Sequence, residues 1–295
     1  MLTAVILTRD EAAHIDRAIR SVTGIADRVL VVDSGSTDAT VPMAKAAGAI
    51  VHRHTWTNYA AQFNWALSVL PEGTTWVLRL DADETVAPAL GAEIADRLQN
   101  LPPSVAGVSV NRRMNFLGAP VRRGGVFPVR VVRLFRAGEG RCETRWMDEH
   151  IVCSGSVVPF RGEILDDNLK SLSWWTDKHN AYASREVVDL LNLEHGFLAT
   201  DPRPEGRAGA KRMLKERVYA HLPPGMRATL YFLYRFFLRG GIFDGPQGVA
   251  FHVLQGFWYR YLVDAKLREV RAHMRRERVR PEVAIEAVLG LKIST

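Results

Sequence analysis

Trp76-Val77-Leu78-Arg79-Leu80-Asp81-Ala82-Asp83-Glu84 runs from a short apolar segment straight into an acidic turn, and this passage decides the fold. A run so short, bounded by charge and rich in Val, Leu and Trp, reads as a buried strand. Two earlier runs have the same form. Val5-Ile6-Leu7 leads into Thr8-Arg9-Asp10-Glu11, and Val29-Leu30-Val31-Val32 leads into Asp33-Ser34-Gly35-Ser36-Thr37-Asp38. Helical spacing fills 11–22, 38–47 and 58–70, the second helix opened by the capping residues Ser36 and Thr37 and stopped by Gly48. Strands alternating with helices imply α/β architecture: a mostly parallel sheet with helices on both faces, so residues 1–100 read as a nucleotide-binding half.

In such a sheet, ligands gather beyond the carboxyl ends of the strands, so the three polar strand ends converge on one site. Asp81 and Asp83 lie two residues apart on a turn. Paired carboxylates in that setting suit a hard divalent cation, Mg2+ or Mn2+, that also binds diphosphate oxygens. An acidic turn capping a helix that starts near Val86 is the plainer alternative. The turn at Asp33–Asp38 reads as a helix cap, and the same geometry lets Asp33 accept hydrogen bonds from a nucleoside while a helix N-terminus faces phosphate.

The segments VILTRDE (5–11), VVDSGSTDAT (31–40) and LRLDADE (78–84), in this order and spacing, resemble the family 2 glycosyltransferases. The resemblance implies a GT-A fold with a Rossmann-like sheet, a nucleotide-sugar donor, best matched by a UDP-sugar, and inverting transfer. By position, Thr8 and Glu11 would line the nucleoside pocket, Asp33 would contact base or ribose, and Asp81 and Asp83 would hold the metal and diphosphate. Gln62 and Asn64 fall in a region near the donor that often carries Arg or Lys and Asn. Ser34 stands where many members have a second Asp, and Gln62 lacks the positive charge often found at its position. Trp146-Met147-Asp148-Glu149-His150 resembles the acidic motif that supplies the general base, which leaves Asp148 and Glu149 as candidates for taking the proton of the acceptor hydroxyl.

After residue 105 the pattern becomes short strands over 105–110, 129–135 and 150–158, then helical periodicity over 168–195. A Pro/Gly-rich connector at 199–210 separates an expected catalytic domain, 1–198, from a helical region, 211–295. Residues 231–261 hold eleven aromatics, interrupted by Arg235, Arg239, Asp244, His252 and Arg260, so no stretch there is apolar enough to span a bilayer. Arg260 to Arg280 adds eight Lys/Arg against three Asp/Glu, which suits helices lying on an anionic membrane surface. A homo-oligomer interface is the alternative use of the same helices. The tail also resembles that of bacterial glycosyltransferases of lipopolysaccharide and exopolysaccharide synthesis, which implies a lipid-linked or lipopolysaccharide acceptor.

The formal charge of +7 is uneven, since residues 1–110 hold eight Lys/Arg against twelve Asp/Glu. The basic surface therefore lies in the second part. Two cysteines, Cys142 and Cys153, are too few for a disulfide framework and read as reduced thiols. The start, MLTAVILTRDE, reads as a strand and not a signal peptide, so the expected location is the cytoplasm, peripheral on the inner face of a bacterial cell membrane. A nucleotidyltransferase would need a Gly-rich basic loop after the first strand, which this chain lacks. An anionic-polymer binding protein would space its aromatics as a stacking platform, whereas here they are packed with Leu and Val, so no nucleic-acid partner is expected.

Overall fold

The computed structural model describes residues 1–143, 149–198 and 225–293. Residues 1–143 with 149–170 form one compact unit, and 171–198 with 225–293 form a second.

The first unit begins β1 (Leu2–Thr8), α1 (Ile15–Val22), β2 (Arg28–Asp33), α2 (Thr40–Ala46), β3 (Ile50–Arg53), α3 (Tyr59–Ser68) and β4 (Trp76–Asp81). It continues with β5 (Glu84–Val86), α4 (Pro88–Arg97), β6 (Val105–Phe116), β7 (Ala119–Pro120), β8 (Val129–Arg136), the short pair β9 (Gly140–Cys142) and β10 (Ile151–Cys153), and β11 (Ser156–Asp167). The main sheet runs β3-β2-β1-β4-β8-β6-β11-β5, with β7 beside β6. Its first four strands are parallel; β8 is antiparallel to both neighbours, β6 and β11 are parallel, and β5 returns antiparallel along β11.

Successive strand residues face opposite sides of a sheet, and the central strands are apolar on both. Ala4, Ile6, Val31 and Leu78 pack with Ile15, Ile19, Leu90 and Ile94, so α1 and α4 cover one face. Val5, Leu30, Val32 and Val77 pack with Ala60 and Phe63 of α3 and with Cys142 and Ile151 of the β9–β10 pair on the other. Continuous apolar runs in the sequence thus mark strands sandwiched between layers. Gly162 lets β11 approach α4: a Cβ there would lie 2.4 Å from the Leu90 Cα. Cys142 and Cys153 are free, and burial pushes the Cys142 thiol up to about 12.

Several boundaries differ from the sequence expectation, each for a local reason. α1 begins at Ile15 because residues 11–14 form a turn in which the Glu11 carbonyl accepts from the His14 and Ile15 amides. α2 begins at Thr40 without a side-chain cap. Ser36 and Thr37 do not cap it; their hydroxyls donate to Asp33 and Asp10. Val86 ends a strand, and the next helix starts at Pro88. The expected strand over 150–158 is two strands, β10 and the start of β11. β3 had no apolar run to announce it, being a four-residue strand at the edge of the sheet with no fully buried residue.

The second unit contains α5 (Leu172–His195), α6 (Met226–Leu233), α7 (Gly245–Phe251), α8 (Tyr259–Glu277) and α9 (Pro281–Leu289), with wide π-type turns at Tyr234–Leu238 and His252–Trp258. Ala183, Val187, Val188 and Leu191 make one face of α5 and pack against Val263, Leu267 and Val270 of α8 and Ala284 and Ile285 of α9. Helix α5, capped by Ser171, therefore belongs with the carboxy-terminal helices, although its sequence position grouped it with the catalytic half. Glu186 of α5 accepts from the Tyr259 hydroxyl and the Arg260 guanidinium, each at 2.7 Å. The expected connector, 199–210, lies outside the described residues. No described helix is long and apolar enough to cross a membrane.

Candidate active site at the carboxyl ends of the parallel strands

Strand register aligns the candidate residues. Thr8 sits opposite Asp33, and Leu7 lies between Val32 and Asp81, so β1, β2 and β4 deliver their polar ends to one edge. The loops beyond β1 and β2 interlock. Asp10, in the left-handed region at φ 54°, accepts from the Thr37 amide at 2.8 Å and hydroxyl at 3.2 Å, while its own amide donates to the Ser36 hydroxyl at 2.8 Å. The Glu11 amide donates to Thr40 Oγ1 at 2.7 Å, and the Ala12 amide to Asp38 at 3.1 Å.

Asp33 is fully buried inside this arrangement. Its carboxylate accepts from the Gly35 and Ser36 amides at 3.0 Å each, from the Ser36 hydroxyl, and from Thr8 Oγ1 at 3.3 Å. It shapes the turn from within, and Gly35, at φ 94°, supplies the left-handed step that exposes the loop tip. Thr8 is likewise buried. Glu11 is the better exposed of the two pocket candidates after β1, and it anchors a small network. Its Oε2 lies 2.6 Å from His14 Nδ1 and its Oε1 2.9 Å from Lys170 Nζ. Because His14 Nε2 accepts from the Leu169 amide at 2.8 Å, the ring proton resides on Nδ1 and points to Glu11.

The acidic turn after β4 separates its two aspartates by environment. Asp81 has both oxygens engaged: the Tyr59 hydroxyl donates to Oδ1 at 2.6 Å and Arg133 to Oδ2 at 3.1 Å. Burial works to raise its carboxyl, but Arg133, Arg79 and the Tyr59 hydroxyl outweigh it and hold the group well below the usual carboxylate range. Asp83 is half-buried and its carboxylate accepts one hydrogen bond, from Asn168 Nδ2 at 2.9 Å, which leaves Oδ1 without a partner among the described residues, while its carbonyl accepts from Arg17 at 3.3 Å and the Asp167 amide at 3.1 Å. A divalent ion that keeps waters and takes diphosphate oxygens needs only one or two protein carboxylates. The Asp83 carboxylate keeps an oxygen uncommitted for such an ion, whereas both oxygens of Asp81 are already bonded. Among the described residues no group of three or more His, Cys, Asp or Glu is arranged as a metal cage.

Beneath the turn lies a charged cluster that motif reasoning missed. Glu84, 1% exposed, pairs with Arg133, 3% exposed, and receives the Asp81 amide at 3.0 Å. Arg112 pairs with Asp166 and approaches Glu84 at 3.6 Å. Burial pushes the Glu84 carboxyl up to about 8 against the pull of Arg133 and Arg112. Arg79 donates to the Tyr59 hydroxyl at 2.9 Å, stacks over that ring at 4.5 Å, and reaches the Glu149 carbonyl at 3.4 Å. The available signal was charge inside an apolar strand: Arg79 within Val77–Leu80 and Arg133 between Val132 and Leu134.

The end of β11 ties the site together with five consecutive residues. Asp166 pairs with Arg112; Asp167 pairs with Arg17 at 2.9 Å; Asn168 holds Asp83; the Leu169 amide reaches His14; and Lys170 donates to the Asp10 carbonyl at 2.7 Å and to Glu11. These residues link the acidic turn to the loop after β1.

Two further candidates have side chains committed to partners within the first unit. Gln62 is buried and bonded to His54, through the ring at 2.7 Å and the carbonyl at 3.2 Å. Asn64 makes a reciprocal pair with the Cys142 backbone, both bonds 2.9 Å, and so fastens α3 to β9. Of the two base candidates, Asp148 lies outside the described residues. Glu149 is half-buried, and Arg79 connects its backbone to the Tyr59–Asp81 pair.

Residues 3–169, more than half the chain, match the family model described as Glycosyl transferase family 2. The chain belongs to glycosyl transferase family 2. The match ends one residue short of the close of the first unit, so it takes in the strand ends, the acidic turn and most of the tie after β11. Among curated relatives, an uncharacterized glycosyltransferase of Rickettsia bellii is 45% identical over 93 residues, 32% of this chain and 31% of the relative. Another from Rickettsia prowazekii is 44% identical over 93 residues, with 32% and 31% covered. The matches thus span about a third of those relatives' length. Among solved structures, glucosyl-3-phosphoglycerate synthase from Mycobacterium tuberculosis, in complex with Mn2+, UDP and phosphoglyceric acid, is 22% identical with a TM-score of 0.33, over 38% of this chain and 43% of that one.

Proposed function

We propose that this family 2 member transfers a sugar, with inversion, from a nucleoside-diphosphate sugar to a lipid-linked or lipopolysaccharide acceptor in bacterial surface polysaccharide synthesis. The observation that carries the reading is Asp83: a half-exposed carboxylate with one oxygen uncommitted, at the carboxyl ends of parallel strands and braced by Asn168. With Mg2+ or Mn2+ bound there, the ion would supply charge neutralisation for the departing diphosphate. Asp81, locked between Tyr59 and Arg133, fixes the turn that presents Asp83. The interlocked loops at 9–12 and 34–38 form the platform for the nucleoside, with Glu11 beside it, held by His14 and Lys170, and Asp33 holding the loop shape from within.

In the transfer, the acceptor hydroxyl attacks the anomeric carbon as the bond to the diphosphate oxygen breaks. Its proton passes to the carboxylate of Asp148 or Glu149. The same reading places the enzyme at the cytoplasmic, inner face of a bacterial cell membrane, where an acceptor held in lipid would be within reach. The test is a thermal-shift screen of UDP-sugars with and without Mn2+, on the wild type and on Asp83→Ala, because a ligand that binds the folded state raises its stability. The expected result is a Mn2+-dependent shift in the wild type that Asp83→Ala abolishes at unchanged baseline stability. A metal-independent shift, or one that survives in Asp83→Ala, overturns the assignment of Asp83.

A further inference from the structure

The helical hairpin of the second unit is tightly built inside and bare at its tip. One arm is α6 with the turn Tyr234–Leu238, and the returning arm is α7 with the turn His252–Trp258. Phe232 stacks on Phe236 at 4.9 Å and meets Phe257 at 5.6 Å, closing the inner face. Gly240, at φ 71°, reverses the chain, and a Cβ on Gly241 would lie 2.8 Å from the His252 ring. Asp244 braces the same ring, Oδ2 to Nε2, at 3.1 Å. Against this frame, the side chains flanking the reversal are largely exposed to solvent: Phe237, Leu238 and Phe243 are 55%, 80% and 71% exposed. Met226, Leu230 and Leu233, at i, i+4 and i+7 of α6, are exposed as well, so the exposure continues along the first arm.

We propose that this tip is a docking wedge for an anionic lipid bilayer: Phe237, Leu238 and Phe243 enter the interfacial layer, and the exposed Arg239 beside them meets the headgroups. Contiguous exposed apolar surface of this kind marks an interaction site. Charge selects lipid as the occupant. Arg239 lies exposed beside the tip and Arg235 precedes it in the same turn, while the one acid of residues 234–248, Asp244, is held against His252, so the exposed charge of the tip is positive and suits anionic headgroups. Because no described helix can cross a bilayer, insertion stops at the interface. The inference deepens the reading of a lipid-linked acceptor and rests on it only for why the enzyme would be held at a membrane.

The experiment uses the full chain in vesicle flotation, comparing phosphatidylethanolamine/phosphatidylglycerol vesicles with phosphatidylcholine vesicles. The wild type is expected to float with the anionic vesicles and weakly with the neutral ones. Leu238→Ser/Phe243→Ser should lower anionic-vesicle binding roughly ten-fold or more, since two large side chains no longer leave water. Its melting temperature and its UDP-sugar response should stay at wild-type values. Three results overturn the wedge: no vesicle binding by the wild type, undiminished binding by the double variant, or a double variant that instead melts lower or changes oligomeric state, which would mean that the chain itself or a second copy covers the tip. The donor response is read separately, so a wild type that binds donor but does not float refutes docking alone, and a wild type that floats without a donor response refutes the transfer reading alone.

Discussion

Replacing Arg133 with methionine should destabilise the first unit by about 3 kcal/mol, the low end of the roughly 3–5 kcal/mol expected when one partner of a buried ion pair is removed. The guanidinium is 3% exposed and serves two carboxylates, Asp81 at 3.1 Å and the sealed Glu84. Two features keep the cost low. Arg112 still stands 3.6 Å from Glu84, and burial, which favours the neutral form of Glu84, lets the carboxyl take up a proton once Arg133 is gone. For a unit of this size, about 3 kcal/mol corresponds to a fall of roughly 6–12 °C in melting temperature. Adding Glu84→Gln removes the stranded charge while keeping an oxygen for the Asp81 amide, so the double variant should recover more than half of the loss. Urea unfolding of the wild type, both single variants and the double variant measures the cycle. A cost below about 1 kcal/mol for Arg133→Met, or a double variant no more stable than that single variant, would refute an ion-pair origin for the cluster's rigidity.

Asn64→Ala breaks the reciprocal pair with the Cys142 backbone, so stability should drop by about 1–3 kcal/mol while UDP-sugar affinity stays constant; a large affinity loss at unchanged stability would return Asn64 to the donor site. Among Asp148→Asn and Glu149→Gln, the one that removes the base should lower turnover roughly 100-fold or more with donor affinity preserved, as steady-state kinetics would show. Burial against Trp175 lowers the His179 imidazole to about 4 from an ordinary 6.5. Between those values the unfolded chain binds a proton that the folded chain refuses, so stability falls as pH drops from 6.5 toward 4. In His179→Gln that part of the acid slope should vanish from a series of melts across the window; an unchanged slope would place the acid sensitivity elsewhere.

The layered α/β core was legible because Val5–Leu7, Val29–Val32 and Trp76–Leu78 are apolar on both faces, a pattern that only a sheet sandwiched between helices requires. The strand-end rule then led to the edge where Glu11, Asp81 and Asp83 lie. What stayed hidden depends on contacts far apart in sequence. Nothing local to Asp81 says that Tyr59 and Arg133 will occupy its oxygens, and nothing local to Asn64 says that it will hold Cys142 from 78 residues away. Ser36 and Thr37 look like caps by residue type, but Asp10 and Asp33 compete for their hydroxyls and win because the loops interlock. Similarly, the periodicity of α5 announced a helix without naming what its apolar face would meet.

The tie after β11 has a consequence for the order in which the site is made. A chain synthesised from its amino terminus exposes Glu11, Asp33 and Asp83 long before Asp166 to Lys170 emerge. Arg17, His14, Arg112 and Asp83 each gain a partner from those five residues. A nascent chain stopped at Leu165 would possess nearly every strand of the sheet and still lack the fastening of its acidic turn. The transferase site should therefore be among the last parts of the first unit to mature, and the shortest fragment that assembles it should end at Lys170 and not where the sheet ends.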